Sequence, residues 1–381
     1  MAQDRDQDHQ ITAKINQSLI STPYDCTSLT RLSGGTANFV YRGILQRPLD
    51  DGTKTVIIKH AEEFLASAKD FKLTADRCVE QVIEELILNA LKNLPFHTNE
   101  SSIVKTPYLY HFDLATHTQI LEDLPAAQDL KSYIIDHGHE FPEALARSIG
   151  RGLGEWLCAF HAWTEDEDAQ GELKNRMCAD RFMAELKFSV NYNNLVKAVG
   201  KFPDMLEESR DVFEKVRGMA KEEIGKSHGN GFGLIHGDFW TGNVLIQSTV
   251  LDHQQQFNPT PILFITDWEL SQCGAQSLDL GQIIAELYML KHFKNLDAGT
   301  WVIQDFIEGY RPALNVDMAF RTAIHVGVHL VAWGSSVQGW GTEEQIEDVV
   351  SVGKDYVVKG WERDQAWFKK SPLRCLFSDE L

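Results

Sequence analysis

The chain has no C-x-x-C pair. Its six cysteines, Cys26, Cys78, Cys158, Cys178, Cys273 and Cys375, are scattered along it. That spacing excludes a zinc ribbon or a disulfide framework read from sequence, and predicts reduced thiols of an intracellular protein. Basic runs are lacking as well. With 36 Lys and Arg against 55 Asp and Glu, the formal charge is −19, which argues against a nucleic-acid binder and against anchoring on anionic lipid. The acidic excess is read as a solubility charge spread over exposed helices. No apolar run is long enough to cross a bilayer, and Met1 to Gln10 is too polar for a signal segment. These absences lead one to expect a soluble cytoplasmic protein with no nucleic-acid or membrane partner, working as a monomer or weak dimer.

What is present is a change of pattern along the chain. With 381 residues the chain can bury one large core or two moderate ones, and two lobes are expected. A polar start, residues 1–26, carries a weak helical period from Thr12 to Ile20. Thr27 to Leu32, Phe39 to Tyr41 and Thr55 to Lys59 then read as three strands, with turn signals at Gly34-Gly35 and at Asp50-Asp-Gly52. From Ala75 to Leu94 the apolar residues recur at helical spacing, and Pro95 follows as a stop. Thr106 to Phe112 and His117 to Leu121 alternate as two more strands. The fold class predicted is therefore α+β and bilobal. An N-terminal lobe, residues 27–124, has a five-stranded antiparallel sheet and one main helix, and a mostly helical C-terminal lobe spans 125–381.

In the second lobe, Glu143 to Trp163 is amphipathic, and its glycines Gly150, Gly152 and Gly154 predict close approach of another helix. Thr164 to Asp168 reads as a solvated acidic loop, Ala179 to Glu223 as further helices, and Thr249 to Pro261 as a long loop between two short strands. Beyond Leu278 the chain reads as helix almost to its end.

The stretch Leu234-Ile-His236-Gly-Asp238-Phe-Trp-Thr-Gly-Asn243-Val-Leu-Ile246, followed by Phe264-Ile-Thr-Asp267-Trp-Glu269, carries the chemistry. Two carboxylates and an amide at the ends of short apolar runs are what metal-assisted phosphoryl transfer uses: Asp238 to accept a hydroxyl proton, Asn243 and Asp267 to hold the metal. Asp267 comes after the apolar run Ile262 to Ile265, an unfavourable place for a carboxylate unless it is paired or ligates a metal, and Mg²⁺ is the natural partner. Lys59 ends a strand expected to be buried and needs a carboxylate; Glu84 is the choice, with Glu80 and Glu85 as alternatives. Such a pair holds nucleotide phosphates. Gly34 and Gly35 let backbone amides approach phosphate oxygens.

His236 is read as a buried hydrogen-bonding residue that shapes the turn, and Asp279 as the cap of a helix and a support for the same turn. Glu269 is either a further ligand or an exposed loop residue. His325 and His329 have the spacing of a metal pair but no third ligand, which argues against a metal there.

Taken in order, Leu32-Ser-Gly-Gly-Thr-Ala-Asn38, Lys59, Glu84, His236 to Asn243 and Asp267-Trp-Glu269 resemble the aminoglycoside phosphotransferase and choline kinase-like family, from about Leu29 to Gly360. Within it the look of Asp267 to Leu270, Ser277 to Gly281 and Trp333 through Glu344 is similar to the fungal branch that phosphorylates 4-hydroxytryptamine; methylthioribose kinases are more distant. The resemblance implies a protein-kinase-like fold and use of ATP and Mg²⁺ but does not hand over the acceptor; the leading expectation is O-phosphorylation of a small hydroxylated metabolite that carries an amine. The resemblance also implies Asp238 as base, Asn243 and Asp267 as metal ligands, Lys59 and Glu84 as the phosphate-positioning pair, and the backbone from Glu122 to Leu124 as the adenine hinge. The competing readings are a methylthioribose kinase-like sugar kinase and a nucleotide-binding pseudokinase scaffold. Few residues separate Asp267 from Asp279, too few for a peptide-docking activation segment, so a compact acceptor is expected, lined by Trp240, Trp333 and Trp340.

Overall fold

The structure is a computed structural model of the full chain, and it describes residues 2–32, 38–62, 64, 66, 77–92, 94, 97–98, 102–165, 167–179, 181–226, 228–247, 260–336 and 339–378. The glycine pair Gly34 and Gly35, and most of the expected loop from Thr249 to Pro261, lie outside the described residues. The chain divides into two compact units, Met1–Asn93 with Thr106–Pro125, and Leu94–Lys105 with Ala126–Leu381.

In the first unit a helix α1 (Ala2–Leu19) precedes three strands, β1 (Cys26–Arg31), β2 (Phe39–Leu45) and β3 (Thr55–His60), and then α2 (Arg77–Leu91). After β4 (His97–Thr98) and β5 (Ile103–Lys105), which belong to the second unit, come β6 (Leu109–Asp113) and β7 (Thr118–Glu122). The sheet order is β1-β2-β3-β7-β6, with every pair antiparallel. Alternation along β2 sends Phe39, Tyr41 and Leu45 to one face, where they meet Val56, Ile58 and Ile120 of the neighbouring strands and Ile11, Ile15 and Leu19 of α1. The Asp50-Asp51-Gly52 turn joins β2 to β3; Gly52 there has φ +87°, a conformation open to glycine at little cost.

The second unit continues with β8 (Ala127–Asp129), α3 (Leu130–His137), α4 (Glu143–Glu165), α5 (Glu167–Ala179), α6 (Phe182–Phe188), α7 (Asn194–Lys201), α8 (Pro203–Leu206) and α9 (Arg210–Glu223). Four strands follow, β9 (Phe232–Ile235), β10 (Val244–Gln247), β11 (Ile262–Ile265) and β12 (Gln272–Ala275), and then α10 (Ser277–Lys294), α11 (Asp297–Tyr310), α12 (Val316–His329), α13 (Glu343–Glu362) and α14 (Gln365–Phe368). Strands β4, β5, β11, β10 and β8 form one sheet in that order, and β9 pairs antiparallel with β12.

Helix α4 is the spine of this unit. Its apolar stripe from Leu145 through Ile149, Leu153, Trp156 and Leu157 to Phe160 is buried. A Cβ on Gly150 or Gly154 would collide with the Val302 or Phe306 carbonyl of α11, and one on Gly309 of α11 with the Arg151 carbonyl. Gly150 and Gly154 therefore let the two backbones touch, as predicted, whereas Gly152 faces not a helix but Ser102 and Val104 at β5.

Two further expectations fail here. Thr164 to Asp168 is not a solvated loop. Helix α4 runs on to Glu165 and α5 begins at Glu167, because Thr164 is fully buried and returns its hydroxyl to the His161 carbonyl at 2.8 Å. The thiols are not all reduced either: Cys178 of α5 is bonded to Cys273 of β12, with Cα atoms 5.1 Å apart. The partners are 95 residues apart, so the packing of α5 against β12, and no sequence spacing, brings them together. No helix among the described residues is long and apolar enough to cross a membrane.

Candidate active site

In the first unit, Lys59 lies on β3 opposite Val40 and Gln119 and is 6% exposed. Its Nζ is 2.8 Å from Glu84 Oε2 on α2, and the glutamate is 2% exposed. Two buried charges are tolerable when they are matched in this way. Glu85 turns to the outer face and accepts from Asn89 Nδ2 at 3.0 Å, and the Glu80 side chain lies outside the described residues. At the end of β7, Glu122 donates its backbone N–H to the Tyr108 carbonyl at 2.8 Å and accepts the Tyr108 N–H on Oε2 at 3.0 Å. Leu124 is buried.

In the second unit, β9 delivers His236 and the turn after it delivers Asp238. Gly237 has φ +81°, and a Cβ on it would collide with the Leu270 carbonyl, so glycine alone suits the position. Beneath the turn, Asp279 in the first turn of α10 accepts the backbone N–H of His236 at 2.8 Å and of Gly237 at 3.0 Å, and His161 of α4 approaches Oδ2 at 3.3 Å. Asp279 thus supports the turn, as expected, but it does not cap α10, whose flanking residue is Gln276. Burial alone would push the Asp279 carboxyl up; the hydrogen bond and charge of His161, joined by His236, outweigh it and hold the pKa below the ordinary range.

His236 is fully buried, and burial lowers its pKa against the opposing charges of Asp279 and Asp238. It is neutral in a defined tautomer: Nδ1 accepts the Asp238 N–H at 3.2 Å, so Nε2 donates to the Thr266 carbonyl at 3.0 Å. Its ring and Phe239 rest on Trp268 and Trp156, with ring centroids 4.4 Å and 6.2 Å apart respectively.

Asp238 is held by donors on both oxygens. Trp240 Nε1 at 3.2 Å and Asn243 Nδ2 at 3.0 Å reach Oδ2, while Gln282 Nε2 reaches Oδ1 at 2.6 Å. Lys187 Nζ lies 3.8 Å from the same Oδ1. Asn243 stands just before β10, and its carbonyl accepts the Thr266 N–H at 2.9 Å, so Asn243 and Asp267, the residue after Thr266, come at the same end of the β10–β11 ladder. Asp267 has φ 64° and ψ 62°, a left-handed conformation that costs a non-glycine residue about 1–2 kcal/mol. Glu269 follows in a single 3₁₀ turn and is 9% exposed, which removes the exposed-loop alternative.

Behind the turn, Glu286 of α10 accepts from Lys131 Nζ at 3.3 Å and from His329 Nε2 at 3.0 Å. The Lys131 ammonium also lies over the rings of Trp340 and Trp240, at 4.0 Å and 5.1 Å. Trp333 donates Nε1 to Asn191 Oδ1 at 3.0 Å. His325 Nδ1 meets Tyr192 Oη at 3.0 Å, so each histidine of the pair is engaged by protein. Gln282, Lys187, Lys131 and Glu286 were not singled out from sequence. Asp279, Gln282 and Glu286 share one face of α10 at i, i+3, i+7, a signal available in retrospect; nothing local marks Lys187.

Asn243 and Asp267 together offer amide and carboxylate oxygens, which suit a hard cation. Among the described residues no cluster of three or more His, Cys, Asp or Glu forms a self-sufficient metal cage. Such a donor set fits a Mg²⁺ that completes its shell with phosphate oxygens and water.

Comparison with known proteins adds the following. The chain is 34% identical over 376 residues to phosphotransferase FrzJ of Cladobotryum sp, covering 96% of each chain. It is 24% identical over 341 residues to 4-hydroxytryptamine kinase of Psilocybe cubensis, covering 88% of each. Among solved structures, amicoumacin kinase hAmiN in complex with AMP-PNP, Ca²⁺ and Ami aligns with a TM-score of 0.54 at 10% identity, over 92% of this chain and 96% of that one. This last likeness is one of fold, and the fold is kinase-like, as predicted. No family model matches the chain.

Proposed function

We propose, for a chain that belongs to the aminoglycoside phosphotransferase and choline kinase-like family, that it transfers the γ-phosphoryl group of ATP to a hydroxyl of a small, amine-bearing metabolite. The observation that carries this reading is the Asp238–Asn243 pair: a carboxylate at the tip of a rigid turn, hydrogen-bonded to an amide whose backbone pairs across the ladder with Thr266, the residue before Asp267. Asp238 is the base that orients the acceptor hydroxyl and accepts its proton, a role in which hydrogen-bond donors to both oxygens fix its direction. Asn243 spends its Nδ2 on Asp238, so its Oδ1 is the atom offered to a metal, alongside the carboxylate of Asp267. Mg²⁺ bound there would neutralise charge on the transferring phosphoryl group.

In the first unit, Lys59 steadied by Glu84 serves the α- and β-phosphates, Gly34 and Gly35 bring backbone amides to phosphate oxygens, and the backbone from Glu122 to Leu124 receives adenine. Residues 27–124 then form the nucleotide lobe and 125–381 the catalytic and acceptor lobe. A compact acceptor is favoured because β12 and α10 follow Asp267 almost at once, with no peptide-docking segment. An aromatic hydroxylated amine is favoured by the likeness to a 4-hydroxytryptamine kinase.

ATP consumption with and without Mg²⁺, over a panel of 4-hydroxytryptamine, other hydroxylated amines, aminoglycosides and methylthioribose, tests this. Acceptor-dependent ADP release that needs Mg²⁺ and is lost in Asp238→Asn supports the reading. Full turnover by Asp238→Asn overturns it, and ATP binding with no acceptor phosphorylated favours a nucleotide-binding scaffold.

A further inference from the structure

Lys187 of α6 is a buried cation that the reading above leaves without a task. It is 7% exposed, and its Nζ donates to Gln282 Oε1, not to a carboxylate. The nearest acid in contact is Asp238, 3.8 Å away at Oδ1. Burial presses the ammonium's pKa down, against the charges of Asp238, Asp279 and Glu286. A buried ammonium bound to a neutral amide is a poor stabilising device, since an apolar residue of similar volume serves a core as well or better.

The geometry gives it another use. Lysine can only donate and an ionised carboxylate can only accept, so an amide placed between them has one orientation: oxygen to Lys187, nitrogen to Asp238. Gln282 adopts that orientation, with Nε2 at 2.6 Å from Asp238 Oδ1. Without the ammonium the Gln282 oxygen loses its anchor, and the amide, still donating to the carboxylate, can swing to another rotamer and carry Asp238 with it. We infer that Lys187 is a positioning residue for Asp238, acting through the Gln282 amide to fix the rotamer of the carboxylate that receives the acceptor's proton. This rests on Asp238 being the base.

The test compares Lys187→Met with the unaltered chain by crystal structure, by thermal unfolding, and by Mg²⁺-dependent ATP hydrolysis with water as acceptor. The expected result is a variant at least as stable, with Gln282 or Asp238 in a different rotamer. Its kcat is lower by about 10- to 100-fold, as a misplaced reacting group costs, while KM for ATP is unchanged. Gln282→Glu, which sets a carboxylate against Asp238, is expected to lower kcat similarly. In the Asp238→Asn background, Lys187→Met is expected to cost nothing further.

A Lys187→Met structure with Gln282 and Asp238 unmoved overturns the inference, and it does so even where hydrolysis is too slow to measure. Unchanged kcat in Lys187→Met, with Asp238→Asn inactive, overturns it as well and leaves the base assignment standing. Full hydrolysis by Asp238→Asn removes the base assignment itself.

Discussion

Asn243 donates one side-chain nitrogen to two acceptors of Asp238, the carboxylate Oδ2 and the backbone carbonyl, both at 3.0 Å. One amide therefore closes the turn from Asp238 to Asn243 and aims the carboxylate. Its oxygen, on the other side of the same planar group, is then directed away from Asp238.

Replacing Asn243 separates the two duties. Asn243→Asp keeps an oxygen for a metal but sets two carboxylates where a donor and an acceptor met. Both Asn243→Ala and Asn243→Asp are expected to lose about 10²- to 10³-fold in kcat, the usual cost of a lost preorganised polar contact at a reacting centre. ADP release measured against Mg²⁺ concentration checks this. Recovery of full turnover by Asn243→Asp at high Mg²⁺ would mean that the hydrogen bond to Asp238 is dispensable.

Asp279 holds the turn from below through two backbone N–H groups, which an amide cannot both satisfy. Asp279→Asn is expected to destabilise the fold by about 1–3 kcal/mol, because one buried donor is left unpaired or set against an NH₂ group. Urea denaturation reads the stability. A variant as stable as the parent would show that the loop holds its shape without this carboxylate.

How much of this was legible beforehand follows from the range of the interactions. Asp238, Asn243 and Asp267 announce themselves because polar residues at the ends of apolar strands are unusual, and that signal is local. Lys59 is similar: a lysine ending a buried β-branched strand demands a partner, and helical periodicity puts Glu84 on the inward face while Glu85 points out. The five strands of the first unit follow from alternation and turn residues. Gln282 and Lys187 gave no such signal, since one looks like any polar helix residue and the other like any surface lysine until α6 and α10 meet. The Cys178–Cys273 bond was hidden for the same reason, and Thr164 was misread because acidic neighbours masked a buried threonine.

Gly154 makes a sharper stability prediction than the polar groups do. Its α-hydrogens face the Phe306 carbonyl of α11, and an added methyl has nowhere to go. Gly154→Ala raises intrinsic helix propensity by about 1 kcal/mol, yet it is expected to lower stability by about 1–3 kcal/mol through overpacking. Gly171, with open space at its Cβ in α5, is the control: Gly171→Ala is expected to be neutral or stabilising. Thermal unfolding of the two variants side by side distinguishes packing from propensity, and a stabilised Gly154→Ala would rule out the tight contact.

His325 supplies the pH dependence. Arg321 Nη2 donates to Tyr192 Oη at 2.9 Å, the same hydroxyl lies 3.0 Å from His325 Nδ1, and His325 Nε2 is buried without a partner. Burial, together with the charges of Lys187, Arg321 and His329, holds the His325 pKa well below its ordinary value. The unfolded chain takes a proton at this side chain as pH falls through about 6.5, and the folded chain does not. Protons thus favour the unfolded state, and stability is expected to fall from pH 6.5 downward by about 1.4 kcal/mol per pH unit for this residue, until its folded-state pKa is reached. His236, also depressed by burial, adds a slope of the same sign. His325→Phe is expected to remove the His325 share only, so that urea denaturation at pH 7.5, 6.5 and 5.5 gives a shallower decline than in the parent. Equal declines in parent and variant would mean that His325 takes up its proton in the folded protein as readily as in the unfolded one.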